Sequence, residues 1–312
     1  MQSINIVTIS PDKWTKIEGF SSKGRRVKSW YERIEDKEVF LYKEPKVLNA
    51  FSEKEFITKE IWTEFIAYKI GTLLGLDIPM AIPASLENNF GILIKNFLER
   101  GEAGMPVNEL IEAKEILINA PNITKPHNLE SVKSLLTLDG RKISSSSWYE
   151  YIKMLIFDCL IGNNDRHDEN WGLLYDRDRK LFKLAPIYDN ASCLTSGESE
   201  ERVSKLLSNS EMLDKYITKG RPPNLYLSYF DEKHYNHFEI MQYLVEKDDN
   251  VTFLIDEMLK VDYLSYTKDI VEEIQQLDVP ENHKLADNRK ELILRILELR
   301  HKRLKDLVNV HN

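Results

Sequence analysis

The sequence predicts an α+β fold of two lobes, a small strand-rich N-lobe followed by a larger all-helical C-lobe. Before about residue 98, short alternating or β-branched segments dominate, with one helical pattern among them. After about residue 198 nearly all of the chain has helical periodicity, ending in a long amphipathic pattern over 283–308. We therefore expect an N-lobe over residues 1–98 and a C-lobe over residues 99–312.

The predicted N-lobe combines short strands with one helix. The strand segments share alternating or β-branched side chains and cover 4–9, 39–43, 81–86 and 90–95, the last two around a turn at 87–89. The helix covers 60–74, where apolar side chains recur at helical spacing. Gly75 follows as its C-terminal cap.

The predicted C-lobe begins with two helices, over 129–136 and 148–161. Serines at 144–147 cap the second helix, and Gly162 ends it. A short hairpin, 172–175 with 181–188, follows before the helical remainder.

Composition excludes several classes of protein. The net charge of −8, from 43 basic and 51 acidic residues, argues against coating nucleic acid by bulk charge. Cys159 and Cys193 form no CxxC pair, so we expect neither a structural zinc site nor a disulfide framework. With no leader-like N-terminus and no apolar run long enough to span a bilayer, we expect the cytoplasm, with export to a host cell as the alternative.

A polar run at 162–170 directly follows the second C-lobe helix. In it Asp165 is the candidate base for a hydroxyl proton, and Asn170, five residues later, offers an amide oxygen suited to magnesium. His167 is expected to brace the loop through hydrogen bonds. Taken alone, the run also fits an ordinary polar connection between a helix and a strand.

Three further groups stand in the order that phosphoryl transfer requires. Lys43 alternates with aromatic residues on a strand and could hold phosphates. Glu64, with Glu60 one turn earlier as its competitor, could fix that lysine from the helix. Asp189 ends a strand 24 residues after Asp165, where a carboxylate would bridge magnesium to phosphate oxygens.

The segment 19–26 precedes the Lys43 strand and mixes glycines, hydroxyls and cations. Its candidate phosphate-covering residues are Ser21, Ser22, Gly24 and Arg26, although the segment is not a Walker A motif. Each of these features alone also fits a surface loop, a strand-edge lysine or a turn. Together and in this order they predict a nucleotide-dependent phosphotransferase.

Two segments carry a resemblance to a known family. Residues 160–172 (Leu-Ile-Gly-Asn-Asn-Asp-Arg-His-Asp-Glu-Asn-Trp-Gly) and 184–189 (Leu-Ala-Pro-Ile-Tyr-Asp) resemble the catalytic and metal-binding segments of HipA-like serine/threonine kinases, above all the compact members. The Asp-Arg-His-x-x-Asn form is also similar to the phosphoinositide-kinase loop. The resemblance implies a two-lobed protein-kinase-like fold, ATP in the cleft, Asp165 as base, and Asn170 and Asp189 on Mg²⁺.

The resemblance implies three further features. Backbone groups at Lys95, Asn96, Phe97 and Leu98 would meet adenine. Some members of the family phosphorylate a serine of the phosphate loop, which makes the serines at 21 and 22 candidates for autophosphorylation. Full-length HipA-like toxins also carry an N-terminal subdomain for which this chain has no room, so we expect that part to be absent or supplied by a partner such as an antitoxin or regulatory protein.

The leading hypothesis is a serine/threonine protein kinase with a toxin or effector role, whose protein substrate the sequence does not name. One alternative is a lipid or small-molecule kinase, which should show a clustered docking surface. We expect the cations of the later helices to be scattered among acids instead: Arg202, Lys205, Lys215, Lys219 and Arg221. The other alternative, a catalytically silent kinase-fold binding module, would be favoured by degenerate catalytic groups, which the core motifs do not show.

Overall fold

The computed structural model describes residues 3–18, 28–49, 55–99, 107–118, 127–137, 142–228, 230–231 and 233–311. The early elements are eight strands and one helix: β1 Val7–Ile9, β2 Trp14–Ile17, β3 Lys28–Arg33, β4 Val39–Lys43, β5 Val47–Asn49, β6 Glu55–Ile57, α1 Glu60–Leu73, β7 Ala81–Leu86 and β8 Asn89–Lys95. The later elements are mostly helices: β9 Asn108–Glu112, α2 Ala113–Ile118, α3 Leu129–Thr137, α4 Ser147–Ile161, β10 Gly172–Asp176, β11 Leu181–Leu184, α5 Glu200–Ser208, α6 Ser210–Lys219, α7 His237–Lys247, α8 Asp249–Leu259, α9 Tyr263–Gln276 and α10 Asp287–His311.

Six of the early strands form one sheet in the order β1-β7-β8-β4-β3-β2. All neighbours are antiparallel except β1 and β7, which pair in parallel. Strand β4 lies inside this sheet, with Phe40 and Tyr42 fully buried on one face. Because side chains alternate along a strand, Lys43 at the end of β4 lies on the opposite face from Tyr42, and it too is buried.

Helix α1 packs between the sheet and the later helices. It contacts β7 and β8 on one side and α9 on another, which explains why Trp62, Phe65 and Ile66 are all buried. The helix ends where Gly75 adopts a left-handed φ of +70°, as expected of a C-terminal glycine. Its position brings Glu64 into the interior between the early and late parts of the chain.

Helix α4 is the centre of the later part. Nearly every residue from Tyr151 to Ile161 is buried, and α4 packs against α3, α7, α8, α10 and β11. A small antiparallel sheet, β11-β10-β9, lies beside it. Asp158 is fully buried inside this apolar helix, so its charge requires partners.

The observed elements agree with the predicted α+β class. The strands at 39–43 and 81–86 and the helix at 60–74 were predicted to within one residue. The C-lobe was predicted to be all-helical, and this part of the prediction was wrong: β9, β10 and β11 form a three-stranded sheet among the later helices. The N-terminal strand is shorter than predicted, covering 7–9 rather than 4–9. Six elements were not predicted from the sequence: β2, β3, β5, β6, β9 and α2.

In the described ranges, none of the helices combines the length and the apolar character that crossing a bilayer requires.

Candidate active site

The predicted catalytic loop, residues 162–170, leaves α4 through a sharp turn. Gly162 adopts φ +66°, in the left-handed region that favours glycine. A Cβ at this position would lie 3.0 Å from Nε of the buried Arg300. The next residue, Asn163, is fully buried: its Nδ2 donates to Asp158 Oδ1 (3.0 Å), and its Oδ1 accepts from the backbone N–H of Asp165 (3.1 Å). The turn therefore fixes where Asp165 emerges.

Asp165 presents a partly exposed carboxylate, with 43% of its side chain accessible. Its Oδ2 accepts from the Ser192 hydroxyl at 3.3 Å. The backbone carbonyl of Asp165 accepts from Asn170 Nδ2 at 2.7 Å. Because the amide nitrogen of Asn170 is used in this bond, its Oδ1 is turned away from that carbonyl and can act as an acceptor or metal ligand.

His167 lies within the loop rather than beside a proton path. Its Nδ1 accepts from the backbone N–H of Glu169 (3.2 Å), and its own backbone bonds the carbonyl of Asp165 (2.9 Å) and the N–H of Asn170 (2.9 Å). The imidazole Nε2 is 3.9 Å from Asp165 Oδ1. These contacts are those of a side chain that shapes the loop.

Arg166 joins three separate segments of the chain. Its side chain is 1% exposed, and the guanidinium grips both carboxylate oxygens of Asp158 at 2.9 and 3.0 Å. One nitrogen, Nη1, also donates to the carbonyl oxygens of Asn170 (2.7 Å) and Tyr188, and Nη2 donates to Asn190 Oδ1 (2.6 Å). A single side chain thus holds the loop of Asp165 and the segment of Asp189 together.

Asp189 has an unusual backbone conformation, with φ +59°. A non-glycine residue in the left-handed region is tolerated where the surroundings determine it. Both neighbours are held: Arg166 bonds the carbonyl of Tyr188, and the N–H of Asn190 donates to Glu64 Oε1 at 3.0 Å. The segment therefore directs the Asp189 carboxylate, whose Oδ1 lies 2.8 Å from Lys43 Nζ.

The candidate lysine contacts the candidate metal aspartate. Lys43 is buried, and its ion-pair partner within the described part of the chain is Asp189, whereas Glu64 accepts from the Asn190 backbone. Glu60 points elsewhere, toward Lys46 Nζ at 3.4 Å. Glu64 lies close enough to Lys43 and Asp189 for their charges to affect its pKa.

Glu64 is a buried carboxyl in a charged neighbourhood. Burial raises its pKa, the nearby Lys43 charge acts in the opposite direction, and the Asp189 charge adds to the rise. Within the described residues, Glu64 Oε2 has no hydrogen-bond partner. The preceding Thr63 donates to the carbonyl of Ala191 at 2.7 Å, so two successive residues of α1 hold the segment that follows Asp189.

The residues between the two parts of the chain pack beside Tyr188. The Phe97 ring stacks on the Tyr188 ring, with centroids 5.6 Å apart. The backbone N–H of Asn96 donates to the carbonyl oxygen of Val39 (2.8 Å), and the backbone N–H of Leu98 donates to Asn96 Oδ1 (3.1 Å). The Lys95 ammonium forms an ion pair with the Glu38 carboxylate.

The predicted phosphate loop lies outside the described residues, and with it Ser21, Ser22, Gly24 and Arg26. These four positions stay predictions.

Sequence reasoning assigned no role to the residues that hold the site together: Asp158, Asn163, Arg166, Tyr188, Asn190 and Ser192. One signal could have found the central pair. Asp158 is a lone carboxylate in an apolar helix, and a buried charge requires a nearby partner. Arg166 was the next cation along the chain.

The described residues contain no group of three or more His, Cys, Asp or Glu side chains arranged to hold a metal ion. A magnesium site in a phosphotransferase does not need one, because Mg²⁺ uses one or two protein oxygens together with phosphate oxygens and water.

Comparison with known proteins identifies the family. Residues 20–261 match the HipA-like C-terminal domain, and the chain belongs to this family. It is 23% identical over 302 residues to the serine/threonine-protein kinase CtkA of Helicobacter pylori, covering 94% of this chain and 84% of that protein. It is also 24% identical over 162 residues to a putative kinase, Y4dM, of Sinorhizobium fredii, covering 48% of this chain and 38% of that protein.

Solved structures give the same fold. The crystal structure of the proinflammatory kinase CtkA of H. pylori superposes with a TM-score of 0.73 and 20% identity, over 98% of this chain and 97% of that one. HipA of Shewanella oneidensis, solved with HipB and operator DNA, gives a TM-score of 0.51 and 12% identity over 95% of this chain and 68% of that one. The predicted two-lobed kinase-like fold is confirmed, and the chain is a HipA-like kinase.

Proposed function

We propose that this chain transfers the γ-phosphate of ATP, with Mg²⁺, to a serine or threonine hydroxyl of a protein. The observation that carries the proposal is the position of Arg166 Nη1, which bonds the carbonyls of both Asn170 and Tyr188. This contact brings Asn170 next to the segment of Asp189. Since Asp165 shares a turn with Asn170, the candidate base and both candidate metal ligands converge on one region.

The donor set fits magnesium. Asn170 offers an amide oxygen whose orientation is fixed by the bond from its own nitrogen to the Asp165 carbonyl, and Asp189 offers a carboxylate. When bound, the ion supplies positive charge to the β- and γ-phosphate oxygens. Lys43 adds a second positive charge from a buried strand position, which suits contact with phosphate.

Asp165 is the proposed acceptor-side group. Its carboxylate is partly exposed, so a hydroxyl can reach it, while the Ser192 hydroxyl and the buried Asn163 fix its orientation. It would orient the acceptor hydroxyl and receive its proton as the phosphoryl group is transferred. Glu64 and Arg166 act by positioning Asp189 and Asn170 rather than by touching the reacting atoms.

A protein acceptor is proposed because the relative from H. pylori is named a serine/threonine-protein kinase. By the same family membership we propose the division at residues 98 and 99 into two lobes, with backbone groups at 95–98 against adenine. Autophosphorylation at Ser21 or Ser22 and a toxin or effector role stay predictions. Because the S. oneidensis HipA structure includes HipB, a regulatory protein partner is proposed for this chain too.

The test uses radiolabelled ATP with a panel of proteins and a panel of lipids. We expect label on protein, and we expect Asp165→Ala to remain folded while losing transfer at least about a hundredfold, since positioned acid–base groups contribute roughly 10²–10⁴. Full activity in that variant would remove the assignment of the base. Label on lipid alone would identify a lipid kinase instead. If Mg-ATP shifts the melting temperature of neither the wild type nor Asp189→Ala, the chain is a silent binding module instead.

A further inference from the structure

A cavity of about 700 Å³ opens beside the catalytic loop. It lies between α5, α6 and the segment that follows α6. Its described lining residues are Asn164, Arg202, Met212, Lys215, Tyr216, Lys219, Gly220, Arg221, Pro223, Asn224 and His234. None of these is acidic, although the whole chain carries a net charge of −8. The cavity is therefore a local reversal of the charge of the protein.

The expectation that the cations of these helices are scattered was wrong for four of the five. Helices α5 and α6 pack against each other, which brings Arg202 of α5 close to Lys215 and Lys219 of α6. The chain then turns at Gly220, and Arg221 joins the same lining. Charge spacing along the sequence could not show this grouping, because it depends on how the two helices pack.

Most of these cations have no acidic partner that the structure describes. In the described ranges no carboxylate lies within ion-pair distance of Arg202, Lys219 or Arg221, and only Lys215 has one, Glu211 at 2.6 Å. Arg202 instead places a guanidinium nitrogen 3.1 Å from the Met212 sulfur. Cations on the same helices but outside the cavity lining behave differently: Lys205 pairs with Glu201 at 2.6 Å. The lining therefore presents three cations that have no carboxylate partner among the residues that the structure describes.

The cavity is connected to the catalytic loop. Asn164, directly before Asp165, lines it. A second cavity of about 250 Å³ shares Asn164 and Tyr216 with the first and is also lined by Ser192, whose hydroxyl donates to Asp165. Asn164, which lines both cavities, thus directly precedes Asp165 along the chain, and Ser192 of the second cavity contacts the Asp165 carboxylate.

Arg300 of α10 fixes the position of α6, which lines the cavity, relative to the catalytic loop. Its buried guanidinium donates to the carbonyls of Cys159 in α4 (2.7 Å) and Ile217 in α6 (3.0 Å). A Cβ on Gly220 would lie 2.7 Å from Arg300 Nη2 and 2.9 Å from Asn164 Oδ1. The end of α6 therefore lies against the catalytic loop, and the glycine leaves room for this approach.

We propose that this cavity binds an acidic segment of the acceptor protein, next to the serine or threonine that is phosphorylated. The proposal rests on the proposed function and names its substrate class. Arginine and carboxylate form strong, often bidentate hydrogen bonds, so glutamate or aspartate side chains fit Arg202 and Arg221. The volume is that of a site for one compact ligand segment. A longer polyanion such as RNA would extend onto a surface of net negative charge, which is unfavourable.

The test measures binding without ATP. The probes are a fluorescent serine peptide flanked on both sides by glutamates and the same peptide with glutamines. The variant is Lys219→Glu with Arg221→Glu, and its control is Lys205→Glu with Lys260→Glu, which changes net charge equally. We expect the first variant to bind the glutamate peptide about tenfold or more weakly, since each partly exposed ion pair contributes roughly threefold. Added salt should weaken wild-type binding.

The control variant is expected to bind like the wild type, and the glutamine peptide to bind weakly to all three proteins. Equal glutamate-peptide binding by the cavity variant and the wild type would overturn the proposal. So would an equal loss in the control variant, or tighter, cavity-dependent binding of a single-stranded RNA oligonucleotide or of vesicles that contain anionic lipid.

Phosphate transfer is scored separately from binding. If the glutamate peptide binds through the cavity but no protein or peptide is phosphorylated, the acidic-segment site stands and the proposed function fails. If proteins are phosphorylated but the cavity variant prefers the glutamate peptide as strongly as the wild type does, the proposed function stands and the cavity assignment fails.

Discussion

The buried arginine of the catalytic loop supports the most discriminating prediction. Arg166→Met removes five hydrogen bonds, two of them to Asp158. It leaves the Asp158 carboxylate inside an apolar helix with Asn163 Nδ2 as a remaining donor. Removing one partner of a buried ion pair typically costs about 3–5 kcal/mol of unfolding free energy, because the other charge is left uncompensated. We expect a loss of this size.

A double variant separates stability from activity. Adding Asp158→Asn to Arg166→Met removes the uncompensated charge and should restore about 2 kcal/mol or more of the lost unfolding free energy. Phosphate transfer should stay low, by about a hundredfold, because the carbonyls of Asn170 and Tyr188 still lack their common donor and small displacements of reacting groups have large effects on rate. Urea unfolding and radiolabelled phosphate transfer measure the two quantities.

The matched control is an exposed arginine. Arg177 pairs with Glu109 at 2.9 Å, with about half of each side chain accessible, so Arg177→Met should change the unfolding free energy by about 1 kcal/mol or less. The reasoning is refuted if Arg166→Met behaves like this control. It is also refuted if the double variant regains wild-type transfer, because Arg166 would then serve stability alone.

Three further predictions concern burial and backbone conformation. Burial raises the pKa of Glu64, so the folded protein is more stable at acidic pH, where this carboxyl is neutral, and loses that stability as the pH rises. Glu64→Gln keeps the side chain neutral and should therefore raise the melting temperature more at pH 8 than at pH 5. The same variant should lower phosphate transfer. Burial lowers the pKa of His127 to about 3, whereas a histidine in the unfolded chain has a pKa of about 6.5. As the pH falls below 6.5 only the unfolded chain takes up this proton, so the free energy of unfolding decreases. His127→Gln should reduce the decrease between pH 7 and pH 5 by about 2 kcal/mol, measured by urea titration. Gly162→Ala should lower the free energy of unfolding by at least about 1–2 kcal/mol because of the left-handed φ, and by more because the new Cβ would contact Arg300. Gly75→Ala, at a φ of +70° in open space, should show the backbone cost alone. Equal losses of unfolding free energy in the two variants would exclude the contact with Arg300.

The strands that the sequence predicts are those whose own residues carry a strong apolar signal. The strand Val39–Lys43 and the pair at 81–86 and 89–95 are dominated by apolar side chains, many of them buried, so they could be predicted from the sequence. The strand Trp14–Ile17 buries a single side chain and has no comparable signal. The strand Asn108–Glu112 is half-exposed, and its pairing partner lies far along the chain, at Gly172–Asp176.

The same distinction applies to the site. The sequence predicts Asp165, Asn170 and Asp189 as site residues because their chemistry and order along the chain are informative. The structure pairs Lys43 with Asp189, although the sequence suggested a glutamate of α1, because that choice depends on the left-handed turn at Asp189. Local spacing does not encode such a turn in a residue other than glycine.

Two buried arginines explain why the catalytic loop depends on distant parts of the chain. Arg166 joins the loop to the Asp189 segment, and Arg300 joins the end of α4, from which the loop departs, to the end of α6. A guanidinium can serve such a junction because it offers several donors in one rigid plane, so it can bond carbonyls from different segments at once. A lysine could not hold the same set of acceptors. The long C-terminal helix that carries Arg300 therefore contacts both the helix from which the loop of the candidate base departs and the helix that lines the basic cavity.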